Sequence, residues 1–163
     1  MQKNKFARLC DDICANCKID CCVKWSPTIS EFDKARIRKI EKDENLFDGN
    51  LFNTPDNRCP FYNKAKKGCG IHEHRPLDCR IYPYSFWFEL GRLDLWLDTK
   101  CPIAKKIVAD EKFYKSAMET AKSELVHWSE GEIYAYLMAS FNIDKFKKEV
   151  KGDKKNVFYR KEK

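Results

Sequence analysis

The chain has 163 residues, nine cysteines and a formal net charge of +7. That length suits one domain, which can bury on the order of two-thirds of its unfolded surface without covalent staples. The opening Met1-Gln-Lys-Asn-Lys-Phe-Ala-Arg8 lacks the apolar run of a secretory leader, and no window approaches about 18 apolar residues, so a secreted disulfide scaffold and a membrane span are both disfavoured.

A reducing cytoplasm is the expected setting, where thiols are kept for metals or catalysis. An odd count of nine also leaves one cysteine over from any complete disulfide framework, whereas eight ligands and one spare suit metal chemistry. The positive charge is concentrated late. From Asn142 to Lys163 there are nine Lys and Arg against four Asp and Glu. Such a tail meets RNA, acidic proteins or anionic lipid in some proteins and is a solvated segment in most.

Residues 1–25 hold five of the nine cysteines and little hydrophobic periodicity, the pattern of a loop wrapped around a metal. Ser30, followed by Phe32, Ala35, Ile37 and Ile40 among charges, predicts an amphipathic helix from Ser30 to Glu44. Asp48-Gly49-Asn50 is a turn signal. Cys59-Pro60-Phe61-Tyr62 and Gly68-Cys69-Gly70-Ile71 flank a basic turn, predicting a short hairpin with a cysteine on each arm. Pro76 suits the start of a helical turn through Cys79 and Arg80, which Pro83 would end. Tyr84 to Leu90 and Leu93 to Asp98 form the clearest strand pair, joined by Gly91-Arg92 in a type II′ turn. Phe86, Trp87, Phe88 and Trp96 are its expected core.

After Cys101-Pro102 the apolar residues recur at three- and four-residue intervals from Ile103 to Leu125. Ser129-Glu130-Gly131-Glu132 is a capping box opening a helix through Phe141, and a short helix follows at Asp144 to Val150. Tyr134, Tyr136 and Phe141 read as exposed aromatics. The expected fold is α+β: a small, metal-stabilised, cysteine-rich domain with a short β-hairpin and several α-helices, helical towards its C-terminus. Its expected organisation is a metal-binding region over 1–105, helices over 106–150 packing on it within the same domain, and a basic tail over 151–163.

Cys14-Ala-Asn-Cys17 places two sulfurs where both reach one metal, a device shared by zinc sites and iron–sulfur clusters. A thioredoxin-type reading needs a strand before the motif and a helix after it, and neither is predicted. In extended chain, neighbours point to opposite sides, so Cys21 and Cys22 serve two centres, or one binds while the other packs. Cys59, Cys69, Cys79 and Cys101 sit in separate elements, punctuated by Pro60 and Pro102 and by Gly68 and Gly70, and glycine permits close backbone approach around a metal. Each alone could be a buried apolar cysteine; four in punctuated loops point to ligands. With eight cysteines on hand, His72 and His74 read as hydrogen-bond donors or solvent-facing residues. Arg75, Arg80 and Tyr82 are placed around the sulfurs, where N–H groups directed at thiolates would offset an anionic cluster; alternatively Arg80 pairs with a nearby carboxylate.

These residues resemble the YkgJ-like cysteine-cluster family, named for its CxxCxxCC motif. The match runs through Cys14, Cys17, Cys21 and Cys22, then Cys59-Pro60-Phe61-Tyr62, then Gly68-Cys69-Gly70-Ile71-His72 and Arg75-Pro76-Leu77-Asp78-Cys79-Arg80-Ile81-Tyr82-Pro83, and closes at Cys101. Three residues, not two, separate Cys17 from Cys21, a departure that alters the second half of the motif, and Cys10 lies outside it. The resemblance implies chelation of zinc or iron by Cys14, Cys17, Cys21, Cys22, Cys59, Cys69, Cys79 and Cys101. Flagellin lysine methylases have a similar cysteine cluster, which points to an iron–sulfur cluster without importing their activity, since no glycine-rich nucleotide loop is present.

Three ligands close in sequence and one remote is the usual topology of a [4Fe–4S] cluster; Zn2+ is the alternative. Nothing in the sequence supplies a nucleophile–base pair, a phosphate loop or paired carboxylates. The expectation is therefore a non-enzymatic subunit or accessory factor in cluster, electron-transfer or assembly chemistry, working with another protein. The competing readings are a structural zinc module and the iron–sulfur subunit of a protein-modifying, lysine methylase-like enzyme. Nucleic acid is a disfavoured partner, because Asp94 and Asp98 lie on the aromatic hairpin.

Overall fold

The computed structural model describes residues 21–24, 26–55, 59–65, 68–89, 92–140 and 158–160. Over these the chain is mixed α+β, built of helices and small antiparallel strand pairs. It divides into two compact units, Met1–Arg80 and Ile81–Lys163.

In the first unit, α1 spans Cys21–Lys24. The backbone of the Cys21-Cys22 pair therefore lies on a helical turn rather than in extended chain. Helix α2 spans Glu31–Ile37 and starts on a reciprocal cap. The Asp33 N–H donates to Ser30 Oγ at 3.0 Å while the Ser30 N–H donates to the Asp33 carboxylate at 3.2 Å. The helix stops well short of Glu44. Ile40 is 46% exposed, so no apolar face holds a further turn, and the Glu41 and Asp43 side chains accept the N–H groups of Lys42, Asp43 and Asn45 instead.

Strands β1 (Phe47–Asp48) and β2 (Leu51–Phe52) pair across a two-residue turn in which Gly49 has φ +52°, a left-handed conformation that glycine adopts without a Cβ penalty. The turn signal was plain in the sequence, whereas strands of two residues offer no period to read. Strands β3 (Tyr62–Asn63) and β4 (Gly68–Cys69) form the expected hairpin, with Tyr62 opposite Cys69. Around them Ile29, Ile37, Leu46, Phe52 and Ile71 form the core, and Phe47, Cys59, Phe61 and Cys69 pack against it. A 3-10 turn at His72–His74 follows, then helix α3 at Leu77–Ile81, whose last residue opens the second unit, with Pro76 immediately before α3 as its spacing predicts.

The second unit is built on β5 (Tyr84–Glu89) and β6 (Arg92–Asp98), paired from Tyr84 with Leu97 to Glu89 with Arg92. Arg92 is thus a strand residue rather than half of the turn. On the other side of β6 lies β7, Phe158–Arg160, which places Phe158 opposite Asp98. The tail region therefore contributes a strand. Its signal is the β-prone run Val157-Phe158-Tyr159, hidden among lysines.

The periodic run after Cys101 divides into α4 (Ala104–Ala109) and α5 (Glu111–Leu125), because Asp110 is extended and its carboxylate caps α5 through the Lys112 N–H at 3.0 Å. Helix α6 (Glu130–Ser140) begins at the expected capping box, where the Ser129 N–H donates to Glu132 at 2.7 Å and the Glu132 N–H to Ser129 Oγ at 3.3 Å. Phe86 stacks on Tyr136 with centroids 3.8 Å apart, and Trp128 meets both edge-on. Tyr136 is accordingly buried, not exposed. Two helical residues separate it from Tyr134 by roughly 200° around the axis, and Tyr134 is the one facing outwards, 65% exposed. Of the hairpin aromatics, Phe86 is core while Trp87, Phe88 and Trp96 are half-buried. Phe141 and the helix expected at Asp144–Val150 lie outside the described residues. Among the described residues, no helix is long and apolar enough to cross a membrane.

Candidate metal centre

Four described cysteines come from four different elements of the first unit. Cys22 lies on α1, Cys59 in the turn before β3, Cys69 on β4 and Cys79 on α3. All four are half-buried thiols. The Cys59 N–H donates to the Cys22 carbonyl at 3.3 Å, tying the two chain segments together. Cys59 and Cys69 both pack against the same apolar core, and the arm that bears Cys69 is drawn in at Gly70. There the Gly70 N–H donates to the Phe61 carbonyl at 2.7 Å, and a Cβ at Gly70 would lie 3.0 Å from that oxygen. Glycine thus permits a close backbone approach next to Cys69.

The electrostatics describe one neighbourhood. Burial pushes the Cys59 thiol up to about 12, the Phe61 and Tyr62 N–H groups pull it back, and the charges of Cys69 and Cys22 raise it further. Burial also raises the Cys79 thiol well above the usual thiol range, as do Asp78, Cys22 and Cys59, while the Arg75 guanidinium opposes them. Part of the Cys79 residue reaches solvent, yet its sulfur lies deep among these groups; the depth of the sulfur governs its chemistry. The Cys59 and Cys79 thiolates are thus costly alone and feel neighbouring cysteines, the condition under which a cation stabilises a site most. Two backbone N–H groups directed at the Cys59 sulfur favour its ionised form, as sulfur ligands of metals require. The thiols are close enough to interact but not drawn into a closed shell: among the described residues, no three Cys, His, Asp or Glu side chains are grouped tightly enough to hold one ion as they stand.

The remaining candidates fall in different places. Arg75 lies beside Cys79 and donates Nε–H to the His72 carbonyl at 3.1 Å. Arg80 is lowered chiefly by burial and then by Arg36, with Asp33 opposing, so it sits in a group of arginines around a buried carboxylate. Tyr82 donates its hydroxyl to Asp98 at 3.2 Å, within the second unit. Cys101 is also in the second unit, in the turn after β6, where its N–H donates to the Asp98 carbonyl at 3.2 Å. His72 and His74 are both half-buried in the 3-10 turn, and His74 Nδ1 is enclosed without a hydrogen-bond partner among the described residues. Cys21 opens α1; Cys14 and Cys17, like Cys10, lie outside the described residues.

Asp33 is a member of this region that the sequence pattern did not single out. It is fully buried, and burial raises its carboxyl against the pull of Arg36, Ser30 and the Leu77 N–H. A capping-box acid is visible in the sequence; its second set of partners, 44 residues away, is not.

The family model that describes a "CxxCxxCC: Putative zinc- or iron-chelating domain" matches residues 13–124. The chain belongs to this family. The match takes in eight of the nine cysteines, including the four gathered in the first unit, and a set of thiols converging from separate elements is the donor chemistry that zinc and iron select. The chain is also similar to an uncharacterised protein of Methanocaldococcus jannaschii, 35% identical over 96 residues, which cover 52% of this chain and 51% of that protein. The chain thus matches about half the length of that relative. No solved structure matches it.

Proposed function

We propose that the chain holds zinc or iron on cysteine thiolates of its first unit, with Cys22, Cys59, Cys69 and Cys79 among the ligands. The observation that carries this reading is the convergence of those four thiols from four elements, with two backbone N–H groups directed at the Cys59 sulfur. Bound there, an iron–sulfur cluster supplies one-electron chemistry, and zinc supplies a structural cross-link. The protein's own part is to gather the sulfurs, hold Arg75 beside Cys79 and limit solvent around them.

A [4Fe–4S] cluster is the preferred group. Its support is the sequence topology of Cys14, Cys17 and Cys21 with a remote fourth cysteine, and the N–H groups at sulfur. Zinc is the second reading, supported by the presence of four cysteines in one unit, the number and type of donor that an all-cysteine zinc site uses. By their place in the family motif, Cys101, Arg80 and Tyr82 are further candidates for the proposed function. The proposed role is that of a non-enzymatic subunit or accessory factor handling a cluster or electrons for another protein, in a reducing compartment.

Metal, acid-labile sulfide and the optical spectrum, measured on protein purified without oxygen, test this reading. Brown protein with about four iron and four sulfide per chain establishes the cluster, and colourless protein with zinc and no sulfide establishes the zinc site. Cys59→Ser is expected to lower the metal content in either case. Folded protein holding neither metal overturns the proposal.

A further inference from the structure

Helix α3, which bears Cys79, is a helix of only five residues and has little of its own to fix its direction. What fixes it is a set of polar contacts from residues 28–36. Asp33 Oδ1 accepts the Leu77 N–H, the first of the helix, at 3.1 Å. The same oxygen accepts Arg36 Nη2–H, and that nitrogen also donates to the Arg75 carbonyl at 2.8 Å. The Thr28 N–H donates to the Asp78 carboxylate at 3.2 Å. The chain from Arg75 to Asp78 is thus gripped at three successive points just before the sulfur.

Asp33 does more than a helix cap requires. Its Oδ2 completes the cap by accepting the Ser30 N–H and Oγ–H at 3.2 and 2.9 Å. A cap of that kind functions at an exposed helix end with one carboxylate oxygen. Here the residue is 0% exposed, and its other oxygen is committed to a segment 44 residues further on. Burying a carboxylate is costly unless every lone pair is used, and the partners that use these are the ones that orient α3.

We propose that Asp33, with Arg36, is the positioning residue of the metal centre: it sets the direction of α3 and so holds the Cys79 sulfur where a metal can take it. This rests on the reading of Cys79 as a ligand. Outer partners of ligands commonly govern metal affinity about 10–100-fold, and Asp33 acts one step further out, through the backbone of the ligand's own helix.

The test is the affinity for Zn2+, by competition with a chromophoric chelator, of the wild type, Asp33→Asn and Ser30→Ala. Asp33→Asn removes the charge that holds Arg36 and weakens the acceptor for Leu77, and is expected to lower affinity about tenfold or more and to speed exchange of the Leu77 amide. Ser30→Ala weakens the cap of α2 but leaves the link to Leu77, and is expected to keep affinity within about threefold of wild type, well inside the span set by outer partners. Unchanged affinity in Asp33→Asn, or equal losses in the two variants, overturns the proposal, the second outcome by reducing Asp33 to a cap. Should Asp33→Asn fail to fold, Arg36→Gln decides: it breaks the bond to the Arg75 carbonyl while leaving the cap, must also lower affinity, and overturns the proposal if it does not. A wild type that retains neither Zn2+ nor iron refutes the metal reading itself, which is a different result from a metal-binding wild type matched by its variants.

Discussion

The two units of the molecule reach order by different means. In the first, the described buried apolar residues number six (Ile29, Ile37, Leu46, Phe52, Ile71 and Leu77), the strands are two residues long, and cysteines pack at the edge of the core. In the second, the described buried apolar residues number fourteen, among them the stacked Phe86 and Tyr136 and the edge-on Trp128, with strands of six and seven residues and a fifteen-residue helix. A small core with short strands yields little burial energy, and natural domains of that kind add a metal or a cross-link. The second unit has enough apolar surface to hold its own elements. The contrast teaches that the thiols of the first unit stand where side-chain burial runs short.

Stripping the metal is expected to separate the two units most strongly. A structural zinc contributes on the order of 10–16 kcal/mol in small peptides, against about 5–15 kcal/mol for the net stability of a whole domain. Chelation is therefore expected to abolish amide protection over residues 26–80 while residues 84–136 keep theirs, as read by hydrogen exchange and mass spectrometry. Equal loss in both units would end the distinction.

Tyr136→Ala applies the converse. Removing the partner of the Phe86 ring is expected to cost about 3–5 kcal/mol in the second unit, visible as an earlier thermal transition in tryptophan fluorescence, with metal content unchanged. The smallest effect is expected for Gly70→Ala. Its new Cβ would meet the Phe61 carbonyl at 3.0 Å, so the Cys59–Cys69 hairpin must open by a few tenths of an ångström at a cost of about 1 kcal/mol. A modest fall in metal affinity with no change in the second unit's melting is the anticipated result; a change confined to the second unit would contradict the assignment of Gly70 to the thiol hairpin.

What was legible in the sequence follows the same division. The β5–β6 hairpin, the capping box at Ser129 and the periodic helices could be read because each repeats its period several times. Even there Asp110 splits one apparent helix in two, since a single residue can leave the helical region while the apolar spacing continues across it. In the first unit the cysteines announced themselves, and Ser30 announced the start of α2. The end of α2 at Ile37 did not, because it depends on what surrounds Ile40. Nor did the convergence of Cys22, Cys59, Cys69 and Cys79 into one neighbourhood, or the reach of Asp33 to Leu77, since no local pattern records a contact between segments so far apart. The burial of Tyr136 rather than Tyr134 depends on which side of α6 meets the sheet, and the low contrast in polarity around that helix hides it.

The pairing of β7 with β6 sets an order of events for the second unit. Asp98 and Phe158 are partners across 60 positions of sequence, so this is the most distant strand pairing described and carries the largest loop-closure cost. During synthesis β5 and β6 are complete long before Phe158 exists. Until it arrives, one margin of β6 has open N–H and C=O groups, the kind of edge that recruits foreign strands. The arrival of β7 covers Trp96–Asp98, three of the seven residues of β6, and over that stretch takes the place a foreign strand would otherwise occupy.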